Sequence, residues 1–350
     1  MKALLICMVL ITLSVSVSNT QRSTSPLDPE NKLFIITLDG FRWQDLYNGA
    51  DSSLINDSKI TPLNSSIKAL YWDNDLTERR KKLMPFFWNV IAREGQLYGN
   101  RKLQNKVNVS NPYALSYPGY SELLTGSVDL TINSNAKTKN TNQNILELLN
   151  NAPAYKNKVA AFTSWDVFPY ILNKQQSSFV INSGFENVSS KELSMGQKLL
   201  NTLQSEVIAE KTATRYDELT FIASKEYIQT NKPSVVFLSF SGTDNAGHDN
   251  RYDKYLEQAN NADRMIGELW RMVQAMPEYA GKTTFLITTD HGRGSLPSNW
   301  GSHGLFVPGS GQTWFALLGH NIVPTGEMKT SNQVYQKELK ELMTLLLTKR

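Results

Sequence analysis

The chain has 350 residues, of which 40% are hydrophobic and 19% charged, and its formal net charge is +4. This composition is typical of a globular protein with enough apolar material for one large domain or two of ordinary size. Because the net charge is small and no basic run exceeds residues 79–82, we expect no nucleic-acid-binding surface.

The N-terminal segment has the pattern of a secretory signal peptide. Lys2 precedes an apolar run over residues 3–17, and small residues surround a cleavage site after Ser18. The run is short for a membrane span, so we expect a secreted or periplasmic protein without a stable membrane span after cleavage, rather than a retained anchor. Cys7 lies within this segment, so any metal in the mature chain must be bound through oxygen and imidazole ligands. The sequence indicates no oligomeric state.

Short apolar runs alternate with helical patterns through the rest of the chain. The apolar runs are continuous, which is typical of strands covered on both faces in a parallel sheet. We therefore expect an α/β/α sandwich with a mainly parallel central sheet, forming a single domain over residues 19–350. Residues 49–82 are polar and are interpreted as an insertion, either an excursion from the core or a small cap. The predicted strands are 33–38, 158–164, 234–241, 283–289 and 313–319, and the predicted helices are 84–95, 142–152, 217–230, 255–276 and 333–349.

Aspartates stand where three of the predicted strands end. Asp39 follows the first strand, Asp244 follows the third and Asp290 follows the fourth. One aspartate after a strand is usually a turn or helix-cap residue. Open parallel sheets, however, bind their ligands beyond the carboxyl ends of their strands. Three such aspartates, two of them with a histidine within four residues, therefore predict a site.

Three of the four histidines lie close to these aspartates in the sequence. His248 is four residues after Asp244, His291 is adjacent to Asp290, and His303 follows in a loop rich in glycine and serine. Carboxylate oxygen and imidazole nitrogen both bind zinc, whereas magnesium takes mostly oxygen ligands. The pattern indicates zinc, with manganese or iron as alternatives.

A candidate nucleophile, Ser116, lies in the stretch ALSYPGYSELLTG (114–126), just before a short helical pattern. A serine at this position is normally an N-cap. The same position directs helix N–H groups at an anion and favours an alkoxide, so both roles stay open.

Taken in order, the motifs ITLDGFRW, ALSYPGYSELLTG, SGTDNAGH, TTDHGRG and GSHG resemble the alkaline phosphatase superfamily over roughly residues 32–320. The resemblance is nearest to its type I phosphodiesterase/nucleotide pyrophosphatase-like branch and to related secreted phosphatases. It implies two zinc ions and a phosphate-binding asparagine, for which Asn135 is preferred to Asn133. The implied ligands are Asp39, Ser116, Asp290 and His291 for one ion, and Asp244, His248 and His303 for the other.

Two departures limit the resemblance. The diesterase branch typically has a threonine nucleophile, whereas this chain has Ser116. Sulfatases require an arginine at the position of Tyr120, so sulfatase chemistry is not expected.

The resemblance implies hydrolysis of a small phosphorylated substrate through a covalent phosphoserine. Discrimination between monoesters and diesters depends on the groups that meet the fourth phosphorus substituent. The alternatives to a phosphomonoesterase are a phosphodiesterase or nucleotide pyrophosphatase, an enzyme acting on phosphonates or phospho-sugar headgroups, and a non-catalytic secreted binding protein of the same fold. The candidate donors are Asn135, Lys137 and Arg293, the candidate apolar contacts are Tyr117, Trp165 and Phe168, and we take the donors to favour a monoesterase.

Overall fold

The computed structural model describes residues 26–189 and 192–349, and the proposed signal peptide with Cys7 lies outside these residues. In the described part of the chain, a large sheet forms the centre of the fold and a small sheet lies apart from it. The strands are β1 (Lys32–Leu38), β2 (Gly95–Tyr98), β3 (Asn105–Asn108), β4 (Val159–Thr163), β5 (Val180–Ser183), β6 (Val235–Phe240), β7 (Thr283–Thr288), β8 (Gln312–Thr313), β9 (Phe315–Gly319), β10 (Gly326–Glu327) and β11 (Asn332–Tyr335).

The large sheet has the strand order β10-β2-β9-β7-β1-β6-β4-β5. Strand β9 pairs antiparallel with both β7 and β2, and the other pairings in this sheet are parallel. The small sheet has the order β11-β3-β8. The prediction of a mainly parallel central sheet is therefore confirmed.

Helices cover both faces of the large sheet. Alternate residues of β1 belong to two hydrophobic clusters, with Phe34 and Ile36 on one face and Leu33 and Ile35 on the other. This two-sided burial explains the continuous apolar runs and confirms the α/β/α sandwich. The helices are α1 (Trp43–Asn48), α2 (Ser52–Asn56), α3 (Asn64–Tyr71), α4 (Leu76–Leu83), α5 (Ala92–Glu94), α6 (Ser116–Thr125), α7 (Ile145–Asn151), α8 (Phe168–Ile171), α9 (Met195–Thr202), α10 (Asp217–Asn231), α11 (Gly242–His248), α12 (Tyr252–Gln274) and α13 (Leu339–Leu346).

The polar stretch over residues 49–82 folds into helices α2, α3 and α4. Leu54 and Ile67 belong to the same hydrophobic cluster as Phe34 of the sheet. The backbone N–H of Tyr252 donates to the carbonyl of Ile60 at 2.8 Å. Through these residues the stretch packs against the sandwich core, and its interpretation as an insertion stays a prediction. The single-domain assignment and the boundary at residue 18 stay predictions.

Two predicted helices differ from the structure. The pattern over 333–349 becomes α-helical only at Leu339, because residues 332–335 form β11 and pair with β3, and a 3₁₀ turn, Gln336–Glu338, follows. The pattern over 84–95 contains a π-helical turn, Phe87–Ile91, and ends where β2 begins at Gly95. Across residues 26–189 and 192–349, no helix combines the length and apolar character needed to cross a lipid bilayer.

Candidate active site

Three neighbouring strands deliver the candidate ligands to one edge of the sheet. Strands β7, β1 and β6 are adjacent and parallel, so their carboxyl ends lie side by side. Asp39 follows β1 directly, Asp290 lies two residues after β7, and Asp244 lies in α11, which begins two residues after β6. This is the edge at which open parallel sheets bind ligands.

Asp39 and Asp290 are connected through Gly40. The backbone N–H of Gly40 donates to Asp290 Oδ1 at 3.0 Å. Gly40 has φ 58°, and a Cβ atom built on it would lie 2.9 Å from Asp244 Oδ1. A residue with a side chain would be strained here and would crowd the carboxylate, so the glycine of the LDGF stretch is required.

His291 lies at the centre of the first group of ligands. Its Nδ1 lies 2.8 Å from the carbonyl of Gly292 and donates a hydrogen bond to it, because a carbonyl can only accept. This leaves Nε2 as the atom that can bind a metal. Nε2 lies 3.4 Å from Asp39 Oδ1, 3.4 Å from Asp290 Oδ2 and 3.2 Å from Ser116 Oγ.

His303 is oriented in the same way beside the second group of ligands. Its Nδ1 donates to the carbonyl of Ala114 at 3.0 Å, which leaves Nε2 as the atom that can bind a metal. Nε2 lies 3.7 Å from Asp244 Oδ1 and 3.0 Å from His248 Nε2. His248 Nε2 in turn lies 3.2 Å from Asp244 Oδ2. The rings of His291 and His303 stack with centroids 3.9 Å apart, so the two groups adjoin.

The carboxylates strongly favour a bound cation. Burial and the nearby Asp244 carboxylate raise the pKa of Asp39 well above its ordinary value, and burial and Asp39 do the same to Asp290. Burial also acts to raise the pKa of Asp244, but the Arg293 guanidinium and the hydrogen bond from His248 outweigh it and lower that pKa. A divalent cation would supply the positive charge that Asp39 and Asp290 lack.

Two overlapping sets of residues could each hold a metal ion. Asp39, Asp290 and His291 offer ligand atoms within 4.8 Å of one another, and so do Asp244, His291 and His303. Asp290 Oδ2 is buried and has no hydrogen-bond partner among the described residues. Oxygen and imidazole donors in these proportions suit zinc. His291 belongs to both groups, and His248 lies at the exposed side of the second.

Ser116 faces the first group and does not cap its helix. It is the first residue of α6 and is only 3% exposed. Its Oγ lies 3.4 Å from Asp39 Oδ1, and no side-chain cap is formed at this helix end. Asn135 approaches the same end of α6, where its Oδ1 accepts a hydrogen bond from the backbone N–H of Tyr117 at 3.0 Å.

The other predicted contact residues are buried in the protein or paired with protein groups. Arg293 is fully buried, and its Nη2 donates to the carbonyl and to Oδ1 of Asp244 at 3.0 and 2.9 Å. The Lys137 ammonium pairs with Asp166 at 2.7 Å. Tyr117 and Phe168 are buried in the second hydrophobic cluster, and Trp165 is half-buried against it. The substrate contact expected of Arg293 stays a prediction: Nη2 is bonded to Asp244, whereas Nε and Nη1 are buried without a hydrogen-bond partner among the described residues.

Sequence reasoning missed the residues that support the ligands. The Tyr120 hydroxyl donates to Asp39 Oδ2 at 3.1 Å. Tyr120 follows Ser116 by four residues on a helix, and this spacing could have indicated from the sequence that both side chains lie on the same face. Ala114 adopts a left-handed conformation with φ 46°, and its carbonyl holds His303. No residue type in the stretch NPYALS indicated that conformation, because alanine rarely adopts it.

Comparison with known proteins agrees with this geometry. A profile of the family "Type I phosphodiesterase / nucleotide pyrophosphatase" matches residues 87–317, well over half of the chain. The chain belongs to this family. It is therefore a phosphoric ester hydrolase of the alkaline phosphatase superfamily, whose members depend on metal ions. No curated protein sequence matches it significantly.

Solved structures of the superfamily share the fold at low sequence identity. Alkaline phosphatase PafA is 11% identical with a TM-score of 0.58, covering 91% of this chain and 96% of its own. The lipoteichoic acid synthase LtaP from Listeria monocytogenes is 13% identical with a TM-score of 0.57, covering 91% and 72%. The phosphonate monoester hydrolase SpPMH from Silicibacter pomeroyi is 11% identical with a TM-score of 0.57, covering 91% and 73%.

Proposed function

We propose that this enzyme hydrolyses phosphate diesters in preference to monoesters, with Ser116 as the nucleophile and a covalent phosphoserine intermediate. The observation that carries the proposal is the environment of Ser116. Its hydroxyl is buried at the N-terminal end of α6 and lies within 3.4 Å of Asp39 Oδ1 and His291 Nε2. The dipole of α6 favours negative charge at this end of the helix.

The seven predicted ligands are proposed to hold two zinc ions, with manganese or iron as alternatives. Ions bound there would lower the pKa of the Ser116 hydroxyl and stabilise negative charge on the phosphoryl and leaving oxygens. The members of the first group are Asp39, Ser116, Asp290 and His291, and those of the second are Asp244, His248 and His303.

The proposed reaction has two displacements at phosphorus. The Ser116 hydroxyl gives up its proton to water and its Oγ forms a bond to phosphorus while the ester P–O bond breaks. The leaving alkoxide takes a proton from water and departs as the alcohol. Water then attacks the phosphoserine, which releases the phosphate product and restores Ser116. Asn135 is proposed to bind a phosphoryl oxygen. Its Oδ1 already accepts from the Tyr117 N–H, so its Nδ2 donors are the part that the substrate can use.

The preference for diesters follows from how the candidate donors are occupied. A monoester presents an additional charged oxygen, which needs cationic or amide donors. Arg293 is buried against Asp244 and Lys137 is paired with Asp166, so Asn135 is the donor of that set without a carboxylate partner. A monoesterase is the second candidate, favoured by the exposed Asn135 at the N-terminal end of α6 and by the exposed Lys137 two residues later.

A non-catalytic binding function is disfavoured because none of the seven ligand positions carries an unsuitable side chain. The signal-like residues 1–18 support a proposal that the enzyme acts outside the cytoplasm on a small phosphorylated substrate.

The test compares kcat/KM for nitrophenyl phosphate and for its methyl diester, with and without a chelator, in the wild type and in Asn135→Ala. We expect chelator-sensitive turnover of both esters, a higher value for the diester, and a larger loss for the monoester in Asn135→Ala. A monoester preference in the wild type would contradict the proposed diester preference and support the second candidate, a monoesterase. Hydrolysis of neither ester by the zinc-loaded protein would contradict the proposed function as a whole.

A further inference from the structure

Tyr120 is a fully buried residue of α6, one helical turn after Ser116, that the proposed reaction does not use. Its hydroxyl donates to Asp39 Oδ2 at 3.1 Å. The phenol oxygen accepts a hydrogen bond from Ser239 Oγ at 3.1 Å and lies 3.5 Å from Thr37 Oγ1. Tyr120 thus connects the helix of the nucleophile to a metal ligand on the sheet.

Two strand residues fix the direction of the Tyr120 proton. Thr37 of β1 and Ser239 of β6 are directly paired in the register of these neighbouring strands. Because both hydroxyls approach the phenol oxygen as donors, the single O–H of Tyr120 is left to donate to Asp39. The sheet therefore presets this hydrogen bond before any ion binds.

Because of this hydrogen bond, the two carboxylate oxygens of Asp39 have different partners. Oδ2 is engaged by Tyr120, whereas Oδ1 lies 3.4 Å from both Ser116 Oγ and His291 Nε2. The Asp39 backbone is held as well, since its carbonyl accepts from Thr243 Oγ1 at 2.6 Å. With both ends held, the carboxylate cannot rotate to exchange its oxygens without losing a buried hydrogen bond.

We propose that Tyr120 is a positioning residue that presents Oδ1 of Asp39 to the metal centre and thereby sets the metal affinity of the group Asp39–Asp290–His291. The inference rests on the metal centre of the proposed function but is independent of which ester is cleaved. Partners that orient a ligating carboxylate typically affect metal affinity about 10–100-fold.

The test measures zinc affinity by chelator competition in the full chain, comparing Tyr120→Phe with the wild type and with Tyr279→Phe. Tyr279 is a matched control because it is also fully buried and its hydroxyl makes one hydrogen bond, to the carbonyl of Pro233, which precedes β6. We expect roughly 10–100-fold weaker binding of one zinc ion in Tyr120→Phe and unchanged binding in Tyr279→Phe. Saturating zinc should restore much of the lost kcat.

Equal zinc affinity in Tyr120→Phe and Tyr279→Phe would overturn the positioning role while leaving the metal centre intact. Absence of zinc binding in the wild type would instead remove the proposed function. If Tyr120→Phe does not fold, the double variant Thr37→Val, Ser239→Ala keeps the phenol but removes the donors that orient it. It should bind zinc several-fold more weakly, and wild-type affinity there would also overturn the inference.

Discussion

Ser116 is the residue on which the proposed chemistry depends, and its replacement separates catalysis from folding. We expect Ser116→Ala to lose several orders of magnitude in kcat, because the proposed covalent intermediate forms on the Ser116 hydroxyl. Zinc content should stay close to that of the wild type, since the remaining ligands are unchanged. Turnover of the diester substrate and the zinc content of the purified protein provide the check.

Ser121→Ala is the matched control for this prediction. Ser121 lies on the same helix and is equally buried, but its Oγ accepts from Asn140 Nδ2 rather than facing the metal ligands. Near-normal turnover in Ser116→Ala, or an equal loss in Ser121→Ala, would contradict the assignment of Ser116 as the nucleophile.

Arg293 supplies the positive charge that Asp244 needs inside the protein. In Arg293→Met the Asp244 carboxylate loses its ion pair with the guanidinium and keeps His248 as a partner, and breaking a buried ion pair in this way typically costs about 3–5 kcal/mol of unfolding free energy. We expect this loss in the metal-free protein and a smaller loss when zinc is bound, because the ion then compensates Asp244. Urea unfolding with and without zinc measures the difference.

Arg215→Met gives the comparison for this second prediction. Arg215 is also buried, but its guanidinium donates to the neutral side chains of Thr220, Asn182 and Gln204. We expect Arg215→Met to be destabilised to the same extent with and without zinc. The same insensitivity to zinc in Arg293→Met would mean that Asp244 does not depend on that guanidinium.

At the scale of elements, α6 must approach the strand end that carries Asp290 very closely. A Cβ atom on Gly119 would lie 2.5 Å from the backbone carbonyl oxygen of Asp290, so Gly119→Ala must push the helix away. Because Ser116 belongs to the same helix, we expect a loss of about 100-fold in kcat, the effect typical of a 1 Å displacement of a reacting group.

Gly267→Ala on α12 serves as the control for the helix displacement. Its Cβ would lie 2.8 Å from atoms of the Phe86 ring, a side chain that can move. We expect this variant to keep most of its kcat. If Gly119→Ala retained wild-type kcat with the same fold, the close contact of α6 with Asp290 would have no part in positioning Ser116.

The same elements explain what could be predicted from the sequence. The ends of β1, β6 and β7 were predictable because strands buried on both faces give continuous apolar runs, and an aspartate marks each exit. The start of α13 was not predictable, because residues 333–335 run without a break into the predicted helical pattern and only their pairing with β3 makes them a strand. The local sequence pattern gives no information about pairing with β3, which is distant in the sequence.

Within the site, the sequence predicted which residues come together but not how their side chains are oriented. The motifs identified Asp39, Asp290 and His291 by order and spacing, and the structure brings them together. The burial of Arg293 was not predictable, because an arginine in a glycine-rich loop is ordinarily solvated. Its contact with Asp244 depends on Gly247, where a Cβ would lie 2.5 Å from the guanidinium.

At the scale of the whole molecule, the carboxylates concentrate negative charge at one edge of the sheet. Burial raises the pKa of Asp39 and of Asp290, which means that the ionised forms are unfavourable without a counter-charge. The folded state should therefore bind zinc far more tightly than the unfolded chain does, and zinc should stabilise it. A ligand present at 100 times its Kd contributes about 2.7 kcal/mol for each site.

We accordingly expect a chelator to lower the urea midpoint of unfolding, and added zinc to restore it. Magnesium at the same concentration should restore little, because three histidines stand among the ligands and magnesium takes mostly oxygen. The Asp290→Asn variant keeps the shape of the side chain but removes a charge, so chelator and zinc should shift its midpoint less than that of the wild type. An identical midpoint with and without chelator in the wild type would mean that no ion contributes to stability at this edge. A full recovery with magnesium would instead point to an oxygen-dominated site, in which the paired imidazoles of His248 and His303 bind no metal.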